Sequence, residues 1–221
     1  LLDLSRVISG KIALERGPLD LAAHARNVVA TLDAAGRTQR HTVTVNASPA
    51  WIDGDATRIE QIISNLVTNA LTYTPQGGHV TVTVEAADEA AVLTVGDDGE
   101  GIDAASLPHL FDLFFQAEQT LSRARGGLGI GLTLVQRLTQ LHGGAVEAHS
   151  EGRGRGSRFV VRLPARAAPA AAVPDGAAPP LAAARRILIV EDNDDARRSL
   201  RALLELKGHS VADAPDGPSA V

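Results

Sequence analysis

Apolar positions along the chain follow two rhythms. Leu1, Leu4, Ile8 and Ile12 recur at helical spacing until Gly17-Pro18 breaks the pattern, which predicts the last turns of a long helix that begins upstream. Asp20 then stands as an N-cap before a helix with Leu21, Ala25, Val28, Val29 and Leu32 on one face. The runs His41-Thr-Val-Thr-Val45 and Ala50-Trp-Ile-Asp53 read as strands. Asp55 opens another helix, reaching about Leu71, whose apolar set is Ile59, Ile62, Ile63, Leu66, Val67 and Ala70. His79 to Glu85 and Ala91 to Val95 are strands rich in alternating Val and Thr. After a long irregular stretch come a helix from about Gly129 to Leu141 and strands Ala145 to His149 and Ser157 to Leu163. Helices on one side and hairpin-linked strands on the other predict an α+β two-layer sandwich.

From Pro164 to Arg185 the pattern stops. Ala and Pro dominate with almost no large apolar residue, a composition that cannot bury a core and reads as an extended linker. Beyond it, Arg186-Ile-Leu-Ile-Val190 is apolar without alternation, as a fully buried strand would be. Asp194 to Leu206 reads as a helix and His209 to Ala214 as a second strand, together the opening of a βαβ sheet. The chain thus divides into a helix remnant (1–16), a main domain (17–164), a linker (165–185) and a short tail domain (186–221).

Composition narrows the function. A formal charge of -5 over 221 residues gives nucleic-acid binding no support. The absence of Cys leaves neither disulfides nor a Cys-ligated metal and suits a cytosolic setting. No window reaches membrane-spanning length. Leu1 opens neither a signal peptide nor a natural start, and Met is absent, as expected of a piece of a longer chain.

Gln61, Asn65, Asn69 and Tyr73 follow one another at i+4, a polar stripe beside the apolar face of their helix. Amides one turn apart can offer oxygens to Mg²⁺ and NH₂ groups to phosphate, or simply face solvent. In Gly96-Asp97-Asp98-Gly99-Glu100-Gly101, alternate glycines allow sharp turning and close approach to a planar ligand, and Asp97 can accept from an exocyclic amine. A tight acidic turn is the plain alternative. Phe111, Phe114 and Phe115 then precede a polar stretch from Ala117 to Arg125, which suits an anchored lid, although such clusters are also ordinary core.

Gly126-Gly-Leu-Gly-Ile-Gly-Leu132 leads into a helix. Its spacing fits neither the P-loop nor the dinucleotide fingerprint, and flanking charges exclude a membrane seam. A helix N-terminus favours an anion, and Arg123 and Arg125 could add charge-assisted contacts. None of His24, His41, His79, His109, His142, His149 and His209 falls at a metal spacing with another, and His142 suits a helix C-terminus through the dipole. Glu191-Asp192 lie at the carboxyl edge of the tail strand, where they suit Mg²⁺ or cap the next helix.

The order NLVTNALTYTP, DDGEGI, FDLFFQ and GGLGIGLTLVQRLTQLHGG resembles the N, G1, F and G2 boxes of the histidine-kinase catalytic and ATP-binding domain, the fold shared with gyrase and Hsp90. The likeness runs from about Leu19 to Pro164. The first residues resemble the end of a dimerisation and phosphotransfer domain. RRILIVEDNDDARRSLRALLELKGHSVADAPDGPSA resembles the first third of a flavodoxin-like response-regulator receiver, as in a hybrid sensor kinase.

The resemblance implies that Asn65 and Asn69 hold Mg²⁺ and phosphates, Tyr73 stacks on adenine and Asp97 accepts from its amine. Gly99 and Gly101 would shape the adenine pocket; Gly127, Gly129 and Gly131, with Leu132, would form the lid hinge and phosphate-facing helix start. Gln61 stands where gyrase-type ATPases carry a Glu that activates water, and an amide is a poor base. The implied activity is ATP-dependent histidine phosphorylation in a two-component phosphorelay, in a cytoplasmic part of a homodimer that works with a phosphotransfer helix and a receiver. Three features depart from the family. Thr72 stands where many such kinases have Lys; no His here has the phosphoacceptor context, which should lie before Leu1; and the receiver's phosphoacceptor Asp should lie beyond Val221.

Overall fold

The computed structural model describes residues 13–116, 129–169, 185–191, 193, 197, 200–201, 204–205 and 209–216. The chain falls into two units, Leu1–Ala170 and Ala171–Val221. In the first, the elements run β1 (Gly17–Asp20), α1 (Leu21–Ala34), β2 (Thr42–Ala47), β3 (Trp51–Gly54), α2 (Ala56–Tyr73), β4 (His79–Ala87), β5 (Ala90–Asp97), α3 (Gly131–Leu141), β6 (Ala145–His149) and β7 (Ser157–Pro164).

Five strands form one sheet in the order β2-β4-β5-β7-β6. Only β2 and β4 pair in parallel, with Thr42 opposite His79; the other pairs are antiparallel. Alternation sends Val80, Val82 and Val84, then Leu93 and Val95, then Phe159, Val161 and Leu163 into the core. Against them α2 lays Ile59, Ile62, Ile63, Leu66, Val67, Ala70 and Leu71, all buried. Full burial of such a side chain is worth about 1.5–3 kcal/mol, so this one helix face carries much of the domain's stability. Leu134, Val135 and Leu138 of α3 and Leu21, Ala22, Ala25 and Val28 of α1 complete the helical layer. The two-layer sandwich expected from the pattern is the observed architecture.

Both predicted N-caps are formed. Asp20 Oδ1 accepts from Ala22 N at 3.0 Å and from Ala50 N at 3.1 Å, so one carboxylate starts α1 and ties down the approach to β3. Asp55 Oδ1 accepts from Arg58 N at 3.2 Å to start α2.

Some expectations shift. The sequence reading has Gly17-Pro18 as a mere helix stop, yet Gly17–Asp20 is a strand, antiparallel to Trp51–Gly54. The third helix begins at Gly131 rather than about Gly129, because Gly129 adopts φ +68°, outside the helical region. Ala165 bridges to Ile52, and Arg166 N donates to Trp51 O at 2.8 Å, so backbone pairing continues past Pro164. The expected upstream helix (Leu1, Leu4, Ile8, Ile12) and most of the expected linker lie outside the described residues.

In the second unit, β8 (Arg186–Val190) and β9 (Ser210–Ala214) pair in parallel, Arg186 opposite Ser210. Between them, residues 197, 200–201 and 204–205 are helical, the connectivity of a βαβ unit. The expectation that β8 is fully buried fails: Ile189 is buried, but Leu188 is 51% and Val190 50% exposed. An unbroken apolar run implies burial on both faces only when layers cover both, and the described part of this sheet has two strands.

Candidate functional site

The polar stripe of α2 is where the spacing put it, flanking the buried face. Gln61, Asn65 and Asn69 are half-buried and Tyr73 is 41% exposed. Asn65 stands out chemically. Its Nδ2 is buried and has no hydrogen-bond partner among the described residues. A buried amide left unpaired costs about 1–3 kcal/mol, so a donor kept in this state is a donor waiting for an acceptor. Beside it α3 begins: a Cβ added to Gly131 would sit 3.7 Å from Asn65 Oδ1. Ile130 precedes that helix without any side-chain cap hydrogen bond to the first-turn N–H groups. Gln61 Oε1 accepts from Arg58 Nη1 at 3.1 Å.

At the other end of α2, glycines let three backbones meet. A Cβ on Gly99 would fall 2.3 Å from Tyr73 O, and one on Gly101, at φ +65°, would fall 2.1 Å from Gly152 O. The approach is sealed by Glu100 N to Tyr73 O at 3.0 Å and by Gly156 N to Gly99 O at 3.1 Å. Asp97 lies in this junction with both oxygens oriented. Oδ1 accepts from Gly99 N at 2.9 Å, and Oδ2 accepts from Ser157 Oγ at 2.6 Å. An ionised carboxylate has about four acceptor positions, so two remain for a ligand. Asp98 turns away: it accepts from His79 N at 2.7 Å, which holds its carboxyl below the usual range.

The Phe-rich stretch divides by role. Phe111 packs against the core, whereas Leu113 is 42% and Phe114 67% exposed. Phe114 has φ +62°, and its N–H donates to Gly129 O at 3.1 Å. A Cβ on Gly129 would meet the Phe114 backbone at 2.8 Å. Thr133 Oγ1 also donates to Asp112 O at 3.2 Å. Both ends of the 117–128 stretch are therefore pinned together next to Asn65. Arg123, Arg125 and Gly127 belong to that stretch and lie outside the described residues. Leu132, on the first turn of α3, packs against the core.

His142 corrects an expectation. It does end α3, but not as a cation suited to the helix dipole. Only 4% exposed, its Nδ1 donates to Leu138 O at 2.8 Å while Nε2 accepts from Asp55 N at 3.1 Å. That pair of bonds requires neutral imidazole, and burial pushes its pKa down. Asp55 Oδ2 in turn accepts from Glu15 N at 3.0 Å, and the Arg16 guanidinium reaches Leu141 O.

Ser157 and Arg58 are site residues that sequence reasoning missed. Ser157 follows Gly154-Arg-Gly156 at the start of β7, opposite Asp97 in the strand register, a signal available only once β5 and β7 are known to pair. In the second unit, Glu191 follows β8 and its Oε1 accepts from Asn193 N at 3.2 Å, as a local cap would; Asp192 lies outside the described residues. Among the described residues no cluster of His, Asp and Glu is arranged to hold a metal, and no helix is long and apolar enough to cross a membrane.

Residues 54–167 match the profile of the family described as Histidine kinase-, DNA gyrase B-, and HSP90-like ATPase. The circadian input-output histidine kinase CikA of Synechococcus elongatus is 31% identical over 225 residues, covering the whole of this chain and 30% of that protein. Sensor histidine kinase TrcS of Mycobacterium tuberculosis is 38% identical over 169 residues, 74% of this chain and 32% of its own. The chain spans about a third or less of these relatives. Among solved structures, full-length ShkA in complex with AMPPNP matches with a TM-score of 0.65 and 28% identity, over 99% of this chain and 45% of that one. The mycobacterial sensor histidine kinase MprB matches at 0.60 and 25%, over 68% and 98%. With the family profile matched over more than half its length, the chain belongs to the histidine kinase-, DNA gyrase B- and HSP90-like ATPases, and its relatives are sensor histidine kinases.

Proposed function

We propose that this chain is the nucleotide-binding engine of an ATP-dependent protein-histidine kinase in a two-component phosphorelay. The observation that carries the reading is the buried, unpartnered Asn65 Nδ2 beside the uncapped start of α3. Adenine would lie at the Tyr73 and Asp97 end, its amine donating to Asp97 while Gly99 and Gly101 keep the pocket open. Tyr73 and Gln61 are about 18 Å apart along α2, enough for the nucleotide to extend from base to terminal phosphate. Asn69, Asn65 and the α3 N–H groups would then meet the phosphates.

The donor set fits Mg²⁺ carried in with ATP, since the Asn65 amide offers a hard oxygen. Bound there, the ion would neutralise phosphate charge. The chain itself would position the γ-phosphoryl group, exclude water beneath the Phe114–Gly129 junction and, with Gln61 in place of a carboxylate, offer no general base for hydrolysis. In transfer, the bond from γ-phosphorus to the ADP oxygen breaks as one to an imidazole nitrogen forms. That imidazole would belong to a dimerisation and phosphotransfer helix ending near residue 16, within a homodimer, and the phosphoryl group would pass on to an Asp of a receiver. Residues 186–221 would open such a receiver, with Glu191 and Asp192 as its Mg²⁺ acids, after the 165–185 linker; the whole would be cytoplasmic.

One observation favours a second reading, a nucleotide-sensing module that has lost kinase activity. Thr72 Oγ1 donates to Thr68 O at 2.7 Å and supplies no cation to the phosphates. Calorimetry with Mg-ATP on the 221-residue chain tests the shared premise: a folded chain that binds no ATP overturns both readings. Autophosphorylation after the upstream helices are joined to it selects the kinase; ATP binding without it selects the sensor.

A further inference from the structure

The α2 stripe does not end at Gln61. Arg58 precedes it by one turn, is half-buried, and lies at the helix end remote from Tyr73. Its Nη1 donates to Gln61 Oε1 at 3.1 Å. A guanidinium has donors only, so the Gln61 amide can face it only with its oxygen. This fixes the orientation of an amide that could otherwise present either end, and leaves the two Nε2 hydrogens for another acceptor.

Resting on the nucleotide-binding reading, we propose that Arg58 is a positioning residue for the terminal phosphate. It holds Gln61 Oε1 so that the Nε2 hydrogens meet the γ-phosphate, with a positive charge behind them. The spacing supports this assignment. Asn65 is about 12 Å from Tyr73 along the axis, and Gln61 about 6 Å further. With the base at Tyr73 and Asp97, the α- and β-phosphates fall near Asn69 and Asn65, and only a third phosphate extends toward Gln61. ADP would leave the Arg58–Gln61 pair idle, so the pair distinguishes triphosphate from diphosphate. It also settles what Gln61 contributes: donors to phosphate oxygen rather than a carbonyl oxygen toward a nucleophile.

The test is the ratio of ATP to ADP affinity, measured by calorimetry with excess Mg²⁺ on the 221-residue chain and its variants. Arg58→Met keeps length and helix propensity but removes charge and donors. It is expected to weaken ATP binding about fivefold to tenfold, the range of a charge-assisted contact, with ADP binding unchanged. Gln61→Met should produce the same selective loss, and the double variant little more than Gln61→Met alone. Arg58→Lys, which keeps the charge but not the planar fork, should recover part of the ratio. A merely structural role for Arg58 predicts equal losses for both nucleotides, and that result, or an unchanged ratio in a chain with unaltered melting, overturns the proposal. Wild-type chain that binds neither nucleotide overturns the underlying reading instead.

Discussion

Removing one hydroxyl should separate ligand affinity from fold stability. Ser157 Oγ donates to Asp97 Oδ2 at 2.6 Å, a short charge-assisted bond that, with Gly99 N on Oδ1, sets the plane of the carboxylate. Ser157→Ala deletes that donor and leaves Oδ2 free to rotate. Hydrogen bonds to charged groups contribute about 1.5–3 kcal/mol, and because Asp97 is only half-buried, water recovers part of this. A loss near about 1.4 kcal/mol corresponds to about tenfold in affinity. The fold should change little, since the residue opposite Asp97 keeps its place in the β5–β7 register whatever its side chain. Calorimetry with Mg-ATP, paired with thermal melting, measures both quantities. Ser157→Thr, which retains the hydroxyl and suits a strand, should bind like the wild type. Ser157→Ala binding within about twofold of wild type, or Ser157→Thr failing as badly as Ser157→Ala, would refute the orientation argument.

Asn65→Ala should melt no lower than wild type, because it removes an unpaired buried amide worth about 1–3 kcal/mol, while ATP binding is lost; lower melting with binding retained would contradict this. The glycines of the hinge should behave differently from one another. Gly129→Ala forces a Cβ at φ +68° to within 2.8 Å of the Phe114 backbone and should lower the melting temperature, with about 1–2 kcal/mol lost to the backbone conformation alone. Gly131→Ala, whose nearest neighbour is Asn65 Oδ1 at 3.7 Å, should leave melting unchanged and weaken ATP binding; the reverse order would be decisive against this account. His142 gives a pH dependence of definite sign. Its pKa is lowered in the fold from the ordinary value near 6.5, so the unfolded chain binds the proton more readily, and its contribution is complete above about pH 6.5 and lost as pH falls through the folded value. His142→Gln should be less stable than wild type at pH 7.5 yet lose less between pH 7.5 and 5.5; parallel melting curves for the two would exclude His142 as the cause.

How much of this was legible in the sequence depended on distance along the chain. The buried face of α2 and the stripe beside it sit at helical spacing within one element, and every predicted apolar member is buried. The caps Asp20 and Asp55 were legible for the same reason, since a cap and its amide are neighbours. Short pairing across long separations was not. Four residues beginning Gly-Pro carry no alternation, so nothing in Gly17–Asp20 announces a partner at Trp51–Gly54. Ser157 and Asp97 are 60 residues apart, and Asp55 and His142 are 87 apart. The position of His142 at a helix end was readable, but its protonation state was not, because the Asp55 N–H that fixes the tautomer arrives from another helix. The tail strand failed in the opposite direction: its apolar run was clear, and the layers that would bury it are not part of its own sequence signal.

The same long-range bonds give the site a mechanical logic. The N-terminus of α2 and the C-terminus of α3 meet at Asp55 and His142, and the incoming segment joins both, through Glu15 N to Asp55 and Arg16 to Leu141 O. From there α2 carries Gln61, Asn65 and Asn69, and α3 runs back until its first turn lies beside Asn65. A displacement of residues 15 and 16 that kept these bonds would carry α2 and α3 with it. One that broke the Glu15 and Arg16 bonds would take those donors from Asp55 Oδ2 and Leu141 O, while the Asp55–His142 bond would still join the two helix ends. The coupling between this segment and the amides of α2 therefore rests on the bonds around Asp55 together with the β1–β3 ladder, which sets Gly17 opposite Gly54, and not on the five-stranded sheet.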